Sequence, residues 1–253
     1  MLSLNAAASP IDRVALAMRD QPWGVTEQQG RLLYDFVLRE KPERILELGC
    51  GIGTAACYMA AALAELGRGK VTSLDRNPDL PEWVARTFGK VDPTFQRHHE
   101  LILSPTSYND HLMDVIEQQT HNGVCEPIFD FCFIDGAHTW EIDGCAFFLS
   151  EKLLKSGKWV LFDDLSWKMA DSPEAQKNMS GFVPIELQRT AQVGKVFSLL
   201  VTQHVGFESF IVAGDWGWAR KKGSATVSAN PVLDLNRPAL VRRIAKKVKQ
   251  ISG

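Results

Sequence analysis

The 253-residue chain predicts an α/β fold, a doubly wound and mostly parallel sheet with helices on both faces. Short apolar segments that predict strands alternate with helical segments, a pattern typical of parallel sheets. A glycine-rich turn follows the first strand, and four strands end in or beside an acid. These acids are Glu47, Asp75, Asp135 and Asp163. Because ligands of such sheets bind beyond the carboxyl ends of the strands, the acids mark the predicted site.

Composition places the chain among ordinary globular proteins. It is 45% hydrophobic and 23% charged, and its net charge of -2 argues against bulk binding to nucleic acid. The five cysteines are odd in number and form no CxxC pair, and three of them lie in apolar segments, which indicates buried thiols in a reducing compartment. Neither a signal peptide nor a run of 18 apolar residues is apparent, so we expect a cytoplasmic protein.

Two helices are predicted before the first strand, at residues 11–20 and 26–41. In the second of them, the apolar residues cluster on one face. Thr26 is a good N-cap for this helix, and Pro42 ends it.

The central part of the chain predicts five strands joined by helices. The predicted strands are residues 44–48, 70–75, 100–103, 129–135 and 158–163, and the helices between them are residues 55–66, 81–88, 109–119 and 140–154. Gly67 closes the first of these helices.

Two further apolar segments, at residues 195–201 and 207–213, predict strands with no long helix between them. We therefore expect them to pair as antiparallel strands at the sheet edge. Residues 221–236 predict a polar linker, and residues 237–253 a basic amphipathic helix. That helix is predicted either to dock on the protein or a partner subunit, or to lie on an anionic membrane.

The turn after the first strand has the spacing Gly49-x-Gly51-x-Gly53. Glycines there let the backbone approach a ligand without an intervening Cβ atom. The dinucleotide pattern GxGxxG requires glycine at the position of Thr54, so the turn departs from that pattern. Asp75, at the end of the next strand, could accept hydrogen bonds from both hydroxyls of a ribose. The alternatives are an ordinary strand–helix turn without a ligand and an acid in a surface turn.

Three carboxylates, those of Asp135, Asp163 and Asp164, follow two strands that the parallel order predicts to be neighbours. Converging carboxylates repel one another and favour a bound cation. Oxygen ligands suit Mg²⁺, which keeps positions open for water and substrate. In the alternative, Asp164 caps the following turn and Asp163 alone faces the cleft.

Several segments resemble class I S-adenosylmethionine (SAM)-dependent methyltransferases. Residues 45–54, ILELGCGIGT, are similar to their first motif, and Asp75 to the acid of their second. Residues 25–33, VTEQQGRLL, resemble the lead-in of metal-dependent O-methyltransferases of the catechol and caffeoyl-CoA type. Residues 133–138, FIDGAH, and 157–164, GKWVLFDD, resemble that group and, still more, magnesium-dependent sugar O-methyltransferases of antibiotic pathways. The resemblance covers roughly residues 22–218.

The resemblance implies a Rossmann-like sheet of seven strands with an antiparallel edge strand. It implies a methyltransferase domain over residues 1–220, with residues 1–42 as a helical lead-in. For SAM, it implies that Asp75 binds the ribose and that Ser107 lies at the adenine, although residues 104–107 depart from the usual glycine-containing form. The residues implied at the methionine part are Glu47, Gly49, Gly51 and Gly53, and Asp135 is expected to face both the donor and the metal.

His138 is the predicted general base, because sugar-modifying relatives carry a histidine at this position. A histidine near neutral pKa suits a hydroxyl that a metal has already acidified. In the alternative, His138 caps the next helix or packs beside Trp140. Trp167 and residues 168–181 are a candidate lid over the acceptor, or else an ordinary surface loop.

The sequence thus predicts transfer of a methyl group to a hydroxyl of a sugar or other small natural-product-like acceptor. The expected partner is this small molecule, and no nucleic acid is expected. Two further predicted contacts are a membrane surface, through the C-terminal helix, and a second copy of the chain. A metal-independent N- or C-methyltransferase is the nearest alternative. A nicotinamide-dependent oxidoreductase is disfavoured by Thr54 and by the lack of a Tyr-x-x-x-Lys pair, and a non-catalytic binding module by the set of acids and His138.

Overall fold

A computed structural model describes residues 8–21, 24–179, 181 and 183–223 of the chain. The predicted helix at 237–253 and all but the first three residues of the predicted linker lie outside the described residues. No helix among the described residues is long and apolar enough to cross a membrane.

The described chain folds around one seven-stranded sheet in the order β3-β2-β1-β4-β5-β7-β6. The strands are β1 Arg44–Leu48, β2 Lys70–Asp75, β3 His99–Leu103, β4 Phe129–Ile134, β5 Leu154–Phe162, β6 Phe207–Ala213 and β7 Trp216–Lys221. The first five strands are parallel, and β7 is antiparallel to both β5 and β6. The strand order reverses between β1 and β4, and such a switch point opens a crevice for ligands. The predicted fold class is confirmed.

Helices cover both faces of the sheet. They are α1 Pro10–Met18, α2 Glu27–Glu40, α3 Thr54–Leu66, α4 Leu80–Val91, α5 Tyr108–Gln118, α6 Trp140–Leu153, α7 Pro173–Met179, α8 Ile185–Gln188 and α9 Gln192–Lys195. Alternate residues of each strand point to opposite faces. Ile45 accordingly packs in the core beneath α1 to α4, whereas its neighbour Leu46 packs in the core beneath α5 and α6.

Two predicted helix boundaries are confirmed by their hydrogen bonds. Thr26 is the N-cap of α2, where its hydroxyl and the side chain of Gln29 form a reciprocal capping box. Gly67 ends α3 in the left-handed conformation, and its N–H bonds to the carbonyl of Ala64.

The predicted strand at residues 195–201 is wrong, because this segment is helical. α9 continues into a π-helical turn at Val196–Val201. Val196, Phe197 and Val201 are buried together, which is the spacing of a helix face rather than the alternation of a strand. The segment packs on α6, where Leu200 lies near Gly144.

The antiparallel partner of β6 is therefore β7, a strand that the sequence analysis did not predict. Trp216 and Trp218 lie two residues apart on β7 and so face the same side of the sheet. There Trp218 packs against Phe36 of α2, and Trp216 packs against Phe133 of β4. Trp216 is buried and Trp218 partly buried, and their packing holds β7 against the edge of β5.

Candidate active site

A cavity of about 1010 Å³ opens at the carboxyl ends of β1, β2, β4 and β5. The start of α2 forms another wall, and the turn between β6 and β7 closes one side. The predicted site residues that line it are Glu47, Gly49, Gly51, Asp75, Asp135, His138, Asp163 and Asp164. Tertiary structure thus brings the glycine loop together with the predicted donor-binding acids, Glu47 and Asp75, and with the predicted metal-binding acids, Asp135, Asp163 and Asp164.

The glycine loop depends on backbone conformations that favour glycine. Gly49, Gly51 and Gly53 have φ angles of 87°, 51° and 86°. A Cβ atom on Gly49 would lie 1.9 Å from the backbone oxygen of Asp135. Gly51 instead has nothing within 4 Å of such an atom. Gly49 therefore permits close approach of the loops after β1 and β4, and Gly51 leaves open space at the cavity wall.

Asp75 joins the glycine loop to the end of β2 through its carboxylate. Its Oδ2 accepts hydrogen bonds from the N–H of Cys50 at 2.9 Å and of Gly51 at 3.3 Å. Its Oδ1 accepts from the N–H of Arg76 at 2.7 Å and of Asn77 at 3.2 Å. The half-buried carboxylate is thereby held at the cavity wall, where a ribose could reach it.

Glu47 lies fully buried beneath the glycine loop. Burial raises the pKa of its carboxyl to about 8, although the hydroxyl of Ser73 donates a hydrogen bond to Oε2 and opposes this shift. Its other oxygen, Oε1, is buried without a hydrogen-bond partner among the described residues. An unpartnered buried oxygen is rare, and at a cavity wall it suits a ligand with a donor group.

His138 lies between two of the predicted metal ligands. Its Nε2 is 2.7 Å from Oδ2 of Asp164 and 3.5 Å from Oδ1 of Asp135. One ligand atom from each of these three residues lies within 4.8 Å of the others. His138 and Asp164 have φ angles of 57° and 59°, a left-handed conformation that non-glycine residues seldom adopt. Such strained residues persist where the surrounding structure holds them, often at functional sites.

Asp163 faces the same cavity, but one of its oxygens is already engaged. Oδ1 accepts a hydrogen bond at 2.7 Å from the N–H of Asp164. Burial, together with the nearby charges of Asp135 and Asp164, raises the pKa of Asp163 to about 8. The three carboxylates therefore repel one another, which is the electrostatic condition that a bound cation relieves.

His138 partly supplies that positive charge. Burial lowers its pKa, but hydrogen bonds and charge interactions with Asp135 and Asp164 outweigh burial and raise the pKa to about 10. Burial raises the pKa of Asp135 to about 6, against the effect of His138. In this arrangement His138 holds a proton at neutral pH, so it can act as a base only when another cation takes over this role.

Asp215 is a site residue that the sequence analysis missed. It lies in the turn between β6 and β7, where its carbonyl accepts a hydrogen bond from the N–H of Leu165 at 3.0 Å. Its Oδ1 accepts another from the N–H of Ser166 at 2.6 Å. Both bonds hold the segment that follows Asp164. The pair Gly214-Asp215 between two apolar segments is a turn signal that could have revealed it.

Trp167 is brought to the site by this same segment. Its ring packs on that of His138 with the ring centroids 4.8 Å apart. The predicted lid at residues 168–181 begins with a short helical turn, Met169–Asp171, whose Met169 is buried. That the segment covers an acceptor stays a prediction.

Ser107 does not line the cavity. It is the N-cap of α5, and its hydroxyl accepts a hydrogen bond from the N–H of Asn109 at 3.1 Å. Its place at an adenine stays a prediction.

Comparison with known proteins finds a family model that matches the centre of the chain. Residues 46–165 match a family model described as a methyltransferase domain. No curated protein matches the chain.

Solved structures resemble the whole fold. The O-methyltransferase TomG from Streptomyces achromogenes, involved in tomaymycin synthesis and solved with SAM, is 20% identical with a TM-score of 0.58, and the match covers 85% of this chain and 91% of TomG. A protein from Staphylococcus aureus that is described as a caffeoyl-CoA O-methyltransferase is 16% identical with a TM-score of 0.61. This match covers 85% of the present chain and 93% of the other. MycE from the mycinamycin pathway, solved with Mg, SAH and mycinamycin VI, is 17% identical with a TM-score of 0.53, covering 85% and 55%. At these low identities, the structural similarity establishes a shared fold.

Proposed function

We propose that the chain is a SAM-dependent methyltransferase that transfers the methyl group to a hydroxyl of a small acceptor. In this proposal Mg²⁺ is held by Asp135, Asp163 and Asp164, and His138 is the general base. The observation that carries the proposal is the position of His138 Nε2 between Asp135 and Asp164, in the cavity that the glycine loop also lines.

The donor half of the cavity suits SAM. SAM supplies an electrophilic methyl group on a positively charged sulfur. The unpartnered Oε1 of Glu47 is available to a donor group of the methionine part. The open space at Gly51 lets the ligand approach the backbone, and Asp75 orients the ribose through its carboxylate.

The acceptor half suits a divalent cation, because its donors are mainly carboxylate oxygens that repel one another. When bound, Mg²⁺ would orient neighbouring acceptor oxygens and lower the pKa of the attacking hydroxyl. Asp135 directly follows β4, and Asp163 and Asp164 follow β5, so rigid strands position all three ligands.

His138 then serves as the base. A cation that neutralised Asp135 and Asp164 would weaken the interactions that raise the pKa of His138, and burial would then lower this pKa and favour the neutral imidazole. A neutral imidazole accepts a hydroxyl proton at Nε2. Trp167 packs on the ring and shields it from bulk water.

A sugar or natural-product hydroxyl is the acceptor that we propose. Two neighbours of the same fold support this class: TomG is involved in tomaymycin synthesis, and MycE was solved with mycinamycin VI and Mg.

One observation favours a second candidate, metal-independent methyl transfer. Protonated His138 already bridges Asp135 and Asp164, so this part of the cluster has a cationic partner without a metal.

Chelation separates the two candidates. The protein, stripped of metal with EDTA and dialysed, is given methyl-labelled SAM and a panel of sugar and polyketide hydroxyl acceptors. We expect no labelled ether until Mg²⁺ is restored. Full transfer in EDTA would contradict the metal mechanism, and labelling only on nitrogen or carbon would contradict O-methylation.

Asp75→Asn is expected to weaken binding of the product S-adenosylhomocysteine (SAH) by about 10-fold or more. The substitution removes the charged acceptor, and hydrogen bonds to charged groups are worth about 1.5–3 kcal/mol. Isothermal titration calorimetry measures the effect. Asp79→Asn is the control, since Asp79 is exposed and lies outside the cavity lining. Equal affinity of both variants for SAH would rule out a ribose role for Asp75.

A further inference from the structure

Asp143 is a buried carboxylate that the mechanism above does not use. It lies in the first turns of α6 and is 1% exposed. Its Oδ1 accepts hydrogen bonds from the hydroxyl of Tyr108 and, at 3.3 Å, from the N–H of Ala137. Its Oδ2 accepts one from the N–H of Thr139 at 2.9 Å. One carboxylate therefore binds the backbone on both sides of His138.

Tyr108 holds the same loop through its hydroxyl group. Its hydroxyl oxygen accepts a hydrogen bond at 3.2 Å from the N–H of Ala137. It also packs against Gly136, where a Cβ atom would lie 2.6 Å from that oxygen. The loop from Asp135 to Thr139 is thus fixed at three of its backbone positions.

These contacts bear directly on the strained backbone of His138. With the N–H groups of Ala137 and Thr139 both bonded to Asp143, the residue between them has little freedom and stays at a φ of 57°. Relaxation to an ordinary conformation would break at least one bond to a buried charge, which is costly. The left-handed conformation in turn directs the imidazole toward Asp164.

Tyr108 also links this loop to the donor side. It is the first residue of α5, directly after the loop that follows β3. In that loop the N–H of Ser104 donates to the carbonyl of Asp75 at 2.7 Å. The contacts therefore run from the backbone of Asp75, through the loop before α5 and the pair Tyr108 and Asp143, to the residues on both sides of His138.

We infer that Asp143 and Tyr108 form a positioning pair that holds His138 in line with Asp164. The inference rests on the proposed function, in which His138 is the base. Neither residue lines the cavity, so each acts through the loop rather than on the acceptor. Because misplacement of a reacting group by about 1 Å can cost on the order of 100-fold in rate, loss of the pair lowers kcat.

The test compares Asp143→Asn, Tyr108→Phe and the double variant with Glu141→Gln. Glu141 is an exposed acid in the same first turn of α6 and serves as the matched control. We expect Asp143→Asn to lower kcat by about 10- to 100-fold with KM and the Kd for SAH within about twofold. Because the two residues share one hydrogen-bond network, the kcat of the double variant should lie within about twofold of the kcat of Asp143→Asn.

Imidazole NMR signals of His138, assigned with His138→Gln, provide a readout that needs no acceptor. We expect these signals to shift in Asp143→Asn and Tyr108→Phe but not in Glu141→Gln. Unchanged signals, an unchanged kcat, or fully multiplicative effects of the two substitutions would overturn the positioning pair. A wild-type protein that transfers no methyl group to any hydroxyl would instead contradict the proposed function, and the NMR shifts would still decide the pair.

Discussion

Asp164→Ala is expected to lower the rate of methyl transfer by about 100-fold or more while SAH binds with nearly unchanged affinity. The substitution removes a proposed metal ligand and the closer carboxylate partner of His138, at 2.7 Å. Loss of either general-base or metal assistance typically costs this much or more. Because Asp164 follows β5 and is not part of the glycine loop, donor binding should persist.

Steady-state rates and calorimetry with SAH separate the two effects. Asp171→Ala is the matched control, since Asp171 is an exposed acid in the same segment. Asp164→Asn should retain more activity than the alanine variant, because asparagine keeps one oxygen and tolerates the left-handed backbone at this position. Full activity of Asp164→Ala would exclude Asp164 from the reaction.

Gly49→Ala is expected to reduce the free energy of unfolding by about 3 kcal/mol or more and to abolish donor binding. The left-handed backbone, at a φ of 87°, contributes about 1–2 kcal/mol for any residue with a Cβ atom. The rest comes from overlap with backbone atoms, since the new Cβ would lie 1.9 Å from the oxygen of Asp135 and 2.8 Å from the Cα of Gly136. No side-chain rotation relieves this overlap, so the loops after β1 and β4 must separate.

Urea unfolding measures the loss, and Gly51→Ala is the matched control. Gly51 is also left-handed, with a φ of 51°, but open space surrounds its missing Cβ atom. This variant should therefore lose only about 1–2 kcal/mol from the backbone conformation. Equal losses in the two variants would show that the contact between Gly49 and the loop after β4 contributes nothing to the free energy of unfolding.

Local signals predicted most of the sheet. The apolar pattern located β1 to β5 and the helices between them, and Thr26 and Gly67 marked helix ends through hydrogen bonds made within a few residues. The prediction failed at residues 195–201, where valine and phenylalanine suggested a strand. Contact with α6, distant in sequence, selected a helix there. β7 instead lies beside β5, where Trp216 is buried against β4 and Trp218 packs against α2.

The acids of the candidate site were found from the sequence, because carboxyl ends of parallel strands meet at one edge of a sheet. Their individual orientations were not. That Asp164 lies nearest to His138 while Asp163 bonds to the backbone follows from left-handed conformations at two non-glycine residues. No sequence pattern specifies those.

Local patterns in the sequence therefore specified the five parallel strands, the glycine loop and the acids at the strand ends, since periodicity and strand ends are local properties of the chain. Only the tertiary structure decided which side chains meet. Gly49 contacts the backbone of Asp135, Asp215 holds the segment after Asp164, and Asp143 holds the loop of His138. Each contact joins residues from different elements, and its geometry depends on how the whole sheet and its helices pack.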